Sequence, residues 1–197
     1  MREPHTRILT ALILMVAAGC GGDDEDTTDT ALADSVAAAA AATSADSASR
    51  AATEGLRAYF DSGPLAAGAT REEVRSRFGE PREVRVETEP NRHVPDAVDS
   101  LFHMLYDDVE VTLRQAQSNT LLESVVVRSN DRLGSAPPLI GASDAELRQR
   151  FGEPEGTPEG HFLYRCETCS ELGGNVVIFR LGKGGTVEAI EIRHPVD

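Results

Sequence analysis

The chain of 197 residues has a single lysine, Lys183, only three cysteines, and 5% aromatic residues. It has no apolar run long enough to cross a bilayer as a helix, since the longest, Ile8 to Val16, is about half the ~20 residues required. Basic residues are outnumbered by 33 acidic to 19, giving a net charge of −14. That balance excludes nucleic acid as a partner and argues against docking on bare anionic lipid, both of which need a basic patch. Several catalytic signatures are also missing: a phosphate-binding loop, a G-x-S-x-G elbow and an H-E-x-x-H helix. The "LGKGG" segment at Leu181 to Gly185 lacks P-loop spacing and reads as a hairpin turn. The expectation is a non-enzyme with no cofactor and no metal site.

What is present begins with an address. Arg2 and Arg7 flank a short apolar core, and Ala17, Ala18 and Gly19 form a small-residue cleavage site before Cys20. This pattern resembles the lipobox of bacterial lipoproteins. The resemblance implies that residues 1–19 are a signal peptide and that Cys20 is the lipid-attachment residue, acylated to anchor the chain in a bacterial membrane. The same resemblance implies, from Gly21 standing where a sorting aspartate would, the periplasmic face of the outer membrane.

Residues 20–50 read as a tether. They are Ala, Asp, Thr, Ser and Gly with almost nothing large, and Asp23, Asp24, Glu25, Asp26, Asp29, Asp34 and Asp46 make them acidic. Such a segment cannot bury enough apolar surface to offset its ordering entropy. The alanine run at 37–42 allows a solvated helix reaching from about residue 31 to residue 60, outside the core.

The rest of the chain contains an internal echo: "RSRFGEP" at Arg75 to Pro81 and "RQRFGEP" at Arg148 to Pro154. Gly68 and Gly141, Thr70 and Ser143, Val74 and Leu147, Phe78 and Phe151 are each 73 positions apart. Thr70 with Glu73, and Ser143 with Glu146, have capping-box spacing. Val74 and Phe78, like Leu147 and Phe151, form an i, i+4 apolar stripe. Gly79 and Gly152 are expected to end their helices in the left-handed conformation, with Pro81 and Pro154 preventing resumption. Helices this short are unstable alone, so strands must cover the phenylalanines.

Strand patterning supplies them at 82–89, 101–107, 109–115 and 121–129, then at 161–166, 175–181 and 186–193. "HMLY" at 103–106 echoes "HFLY" at 161–164. The expected fold is therefore α+β: two tandem copies of a short helix followed by an antiparallel β-meander, helices on one face of the sheet. The first copy, with a preceding helix, covers 51–135 and the second 136–197. The repeated Gly, Ser/Thr cap, apolar residue and Phe-Gly-x-Pro, followed by a tyrosine-bearing strand, resembles the superfamily of tandem-repeat β-lactamase-inhibitor proteins and the small lipoprotein of the outer-membrane barrel-assembly machinery. The resemblance covers about Leu65 to His194 and implies a fold, not an activity. The inhibitors staple each repeat with a disulfide, whereas the first copy here has no cysteine.

Two features bear on function. Cys166 and Cys169, in "CETC", are expected to form a disulfide at a hairpin end in an exported protein. A redox pair is disfavoured because the motif follows a strand and carries Glu167 where thiolate activation wants cations. A metal site lacks the second CxxC or paired histidines it would need. His103 and His161 lie inside strands and read as structural. Phe102, Met104 and Tyr106 share one side of their strand, as do Phe162 and Tyr164. These five are candidate partner-binding residues if that side faces solvent and simply core if it faces the helices. The resulting expectation is a membrane-anchored lipoprotein that binds or inhibits an envelope protein without catalysis. The alternatives are an envelope assembly scaffold and a thiol or metal protein using the cysteine pair.

Overall fold

The structure, a computed structural model, describes residues 46–117, 119–169 and 174–195. The signal segment, Cys20 and the tether up to residue 45 lie outside the described residues. The described chain is α+β, with three α-helices and one seven-stranded sheet in which every neighbouring pair is antiparallel. α1 occupies residues 46–61, α2 Arg71–Phe78 and α3 Asp144–Phe151. The strands are β1 Glu83–Pro90, β2 Val98–Leu105, β3 Val109–Ala116, β4 Asn119–Val127, β5 Phe162–Cys166, β6 Asn175–Leu181 and β7 Val187–Arg193. Their order is β1-β2-β3-β4-β7-β6-β5, so two meanders meet where β4 pairs with β7.

Both short helices start as their sequence dictates. The Thr70 hydroxyl accepts the Glu73 N–H while the Glu73 carboxylate accepts the Thr70 N–H at 2.7 Å, and Ser143 with Glu146 repeats the arrangement at 2.8 Å. The helix ends differ from expectation. Gly79 (φ 85°, ψ −162°) and Gly152 (φ 80°, ψ −162°) have positive φ but extended ψ, so they are not left-handed helical caps. Only glycine adopts that region readily, and it turns the chain sharply towards β1 and β5.

The helices lie on one side of the sheet, and their apolar stripes build the core there. Val74 and Leu147 are fully buried, and Phe151 nearly so, while Phe78 is half-buried. α1 is not the solvated helix the alanine run suggests: Leu56 and Tyr59 are core residues, and the Tyr59 hydroxyl donates to the Pro137 carbonyl at 2.9 Å. Its composition misleads because only its last two turns carry large apolar side chains, Leu56, Tyr59 and Phe60, and these are what pack.

Candidate functional site

The strand pairings decide which side each candidate residue faces. Met104 sits opposite Val111 and Val84, and Phe162 and Tyr164 sit opposite Phe179 and Val177. All point towards the helices. Phe78 packs on Tyr106 with ring centroids 5.6 Å apart, Phe151 packs on Tyr164 at 5.5 Å, and the Arg71 guanidinium covers Phe102 at 4.4 Å. Met104, Tyr106, Phe162 and Tyr164 are buried and Phe102 is half-buried. The aromatic side of these strands is therefore core. This corrects its candidacy as a partner-binding face, because α2 and α3 need that side to bury their own stripes.

The opposite face carries the chemistry left over. Among the described residues no helix packs on it, and it holds a lattice of charges over a partly apolar floor. Arg114 on β3 reaches Glu89 on β1 (3.1 Å), Asp99 on β2 (3.4 Å) and Glu123 on β4 (3.0 Å). Asp99 is 4% exposed, so its charge is tolerated only because Arg114 and the Asn91 amide, 2.8 Å away, satisfy it. In the other half Glu191 on β7, also 4% exposed, is held by Arg180 on β6 at 3.0 Å and by Arg193. The floor beneath them is Leu101, Val126, Val176 and Ile178, all buried, with Arg114 beside Leu101 and Arg193 beside Val176 in the ladder.

A loop borders this face at each end. Asn91 to His93 form a small hollow with Asp99, Arg114 and Leu121. Pro158 to His161 overhang a larger one, of about 320 Å³, floored by Leu163, Ile178, Arg180, Glu191 and Arg193. Neither hollow pairs a nucleophile with a base. His103, on the same face, contacts the Thr112 hydroxyl through Nδ1 (3.2 Å), and its Nε2 lies 3.9 Å from Glu87, beyond hydrogen-bond reach. Thr112 stands in mid-ladder, where neighbouring backbone N–H groups are committed to strand pairing and none is free to stabilise an oxyanion. The other strand-region histidine is structural: His161 Nδ1 accepts the Leu181 N–H at 3.0 Å.

Cys166 and Cys169 form a disulfide with Cα atoms 5.3 Å apart, closing a turn at the end of β5. The Thr168 carbonyl in that turn accepts a hydrogen bond from Arg57 on α1 at 2.7 Å, so the bridge shapes a docking point for α1. Among the described residues no group of three His, Cys, Asp or Glu is placed to hold a metal ion, and no helix is long and apolar enough to cross a membrane.

The charge lattice is what sequence reasoning missed. Its trace is there, in the alternation of charged and apolar residues in "EVRVETE" and "IEIR", but which charges meet depends on strand register. No protein-family model matches the chain, and no curated protein matches it. A crystal structure of a cysteine-rich secretory protein from Staphylococcus aureus subsp. aureus Mu50 overlaps 64% of the chain at 15% identity with a TM-score of 0.36. The overlap spans 44% of that protein's length, and a likeness so distant bears on neither fold nor activity.

Proposed function

We propose that this chain is a membrane-anchored lipoprotein of the bacterial envelope that binds another protein through the open face of its sheet and performs no chemistry itself. The observation that carries the reading is the asymmetry of the sheet. One side is covered by α1, α2 and α3, whereas the other has no covering helix among the described residues yet holds an ordered charge lattice and two bordering loops. Fixed charges of both signs on a semi-apolar floor suit a protein surface of complementary pattern better than a small ligand.

The address belongs to the same reading. The small residues before Cys20 supply a lipid anchor, residues 21–45 a tether, and the periplasmic face of the outer membrane the location. So does the origin of the fold. Matching capping boxes, matching glycine ends and the two meanders meeting at β4 and β7 are what duplication of one helix-meander unit would leave. Tandem copies of this kind, and membership of the inhibitor and barrel-assembly lipoprotein superfamily, are part of the proposal.

Site-specific photocrosslinking in the envelope tests it. A photoreactive residue at Glu110 or Arg165, on the open face, is expected to give a discrete adduct with another protein, and one at Glu72 or Gln149, on the helices, is not. Adducts from the helix positions alone, or from neither side, would refute the reading.

A further inference from the structure

The exposed large apolar side chains among the described residues are Val84, Val86, Val94 and Val98, and all four gather at one end of the sheet. All eight residues of β1 are exposed. The strand at the far end of the sheet is protected: Leu163 of β5 donates to the Gly156 carbonyl and accepts the Glu155 N–H, both at 2.9 Å, so a loop pairs with its outer edge. Among the described residues, no backbone pairs with the outer edge of β1. A long bare edge bearing exposed valines is a template for a further strand.

The register shows which backbone groups are free. Asn91 donates to the Ala97 carbonyl at 2.9 Å, in a ladder where Pro90 faces Val98 and Glu89 faces Asp99. Hydrogen-bonded pairs alternate along such a ladder, so the odd-numbered residues of β1 turn their N–H and C=O towards β2, and Val84, Val86 and Thr88 turn theirs outward. The side chains of those three lie on the helix side, and Glu83, Arg85, Glu87 and Glu89 lie on the open face.

We infer that β1 is the edge at which two copies of this chain pair, antiparallel, about a two-fold axis through Val86, joining their sheets into one. Charge and strand length together select that register, since centring on Val84 would also set Glu83 against Arg85 but would pair only residues 83 to 85 of β1. Centring on Val86 places Arg85 opposite Glu87 of the second copy, twice, in the non-hydrogen-bonded pairs where side chains approach most closely. Centring on Arg85 sets arginine against arginine, and centring on Glu87 sets glutamate against glutamate. In the Val86 register the like charges, Glu83 and Glu89, meet only at the solvated ends of the ladder.

The helix side agrees. Val86 faces Phe102 across β2, so the two-fold lines up Phe102, Val86, Val86 and Phe102 in one apolar row across the joint. In the single copy Arg85 pairs along its own strand with Glu83 at 2.8 Å, both exposed. Exposed pairs are weak, so exchanging that partner for Glu87 of the second copy costs little. Nothing in this pairing depends on what the open face binds.

Cysteine cross-linking of the full chain, with sedimentation equilibrium, tests the register. Val86→Cys brings two thiols together at a hydrogen-bonded pair with Cα atoms about 5.5 Å apart, within disulfide range. Thr88→Cys leaves its two copies about 13 Å apart, four residues out of register. Mild oxidation is expected to give a covalent dimer with Val86→Cys and none with Thr88→Cys. Arg85→Glu is expected to weaken the dimer about tenfold, and adding Glu87→Arg to restore it. Both positions are exposed, and circular dichroism checks that the variants fold. A chain still monomeric at about 100 μM, equal cross-linking from both cysteines, or a dimer indifferent to Arg85→Glu would overturn the inference.

Discussion

Phe151 lies stacked on Phe179, ring centroids 5.5 Å apart and planes 19° from parallel, and it also meets Tyr164 at 5.5 Å. Phe78, at the matching place on α2, has one aromatic neighbour, Tyr106, and is half-buried. The same "RFGEP" spelling therefore produces two phenylalanines of unequal weight. Phe151→Ala is expected to cost about 3–5 kcal/mol, and Phe78→Ala roughly half that, because less of its ring leaves water on folding. Urea denaturation of the two variants should rank them in that order, and equal losses would contradict the packing.

The tyrosines behind them differ in another way. Tyr164 donates its hydroxyl to the Gly152 carbonyl at 3.1 Å, fastening the end of α3 to β5, whereas the buried Tyr106 hydroxyl has no partner among the described residues. Tyr164→Phe is expected to cost about 0.5–1.5 kcal/mol, and Tyr106→Phe to be neutral or slightly stabilising, since it removes a buried polar atom that no described residue satisfies. Thermal melts compare them directly.

Arg114 is the hub of the open face, and its loss would strand Asp99 without its cation. Arg114→Met is expected to destabilise by about 3–5 kcal/mol, the typical cost of breaking a buried ion pair from one side. Adding Asp99→Asn should recover part of that loss, because an amide in the same place carries no charge and still meets Asn91. A double variant no better than the single would show that Asp99 is satisfied independently of Arg114.

Much of the fold is legible in the sequence, and the physical reason is that its signals are local. The capping boxes at Thr70 and Ser143, and the stops at Gly79 and Gly152, lie within a few residues of what they control. The strand pattern finds all seven strands to within three residues at each end, with Asn175–Leu181 found outright. What is illegible depends on partners far along the chain. Alternation shows that Phe102, Met104 and Tyr106 share a side, but only the docking of α2 tells which side. Leu56 and Tyr59 look like the end of a solvated helix until Phe179, 120 residues after Tyr59, is placed against the Tyr59 ring. The charge lattice is the extreme case, since Glu89, Asp99, Arg114 and Glu123 come from four strands and meet only through register.

The anchoring part of the proposal has a clean test. Cys20→Ser removes the sulfur that would carry the lipid, and the acyl chains would supply most of the membrane affinity, so fractionation should move the protein from the membrane to a soluble or unprocessed pool. A Cys20→Ser chain that is cleaved normally and stays on the membrane would rule out the lipid anchor.

His194 supplies a pH dependence with a defined window. Its ring stands edge-on to Phe60, centroids 5.5 Å apart, and burial pushes its pKa down from 6.5 to about 4. Above about pH 6.5 the ring is neutral in folded and unfolded chains alike. Between about 6.5 and 4 only the unfolded chain takes up the proton, so stability falls as the pH falls through that window, by at most roughly 3 kcal/mol. Below about 4 the folded chain is protonated too, and this loss ends. Glu73 and Glu146 act in the same sense but in a lower window: hydrogen bonds from the backbone N–H and side chain of Thr70 and Ser143 hold their pKa values below the ordinary 4.5, so their stabilisation is complete above 4.5 and is lost only beneath it. The two windows are thus separable. His194→Phe keeps a ring against Phe60 and removes the proton site, so urea denaturation from pH 7 to 3 should lose its slope between about 6.5 and 4.5 while the decline below 4.5 remains. An unchanged slope in the upper window would mean that the ring is not desolvated in the folded chain.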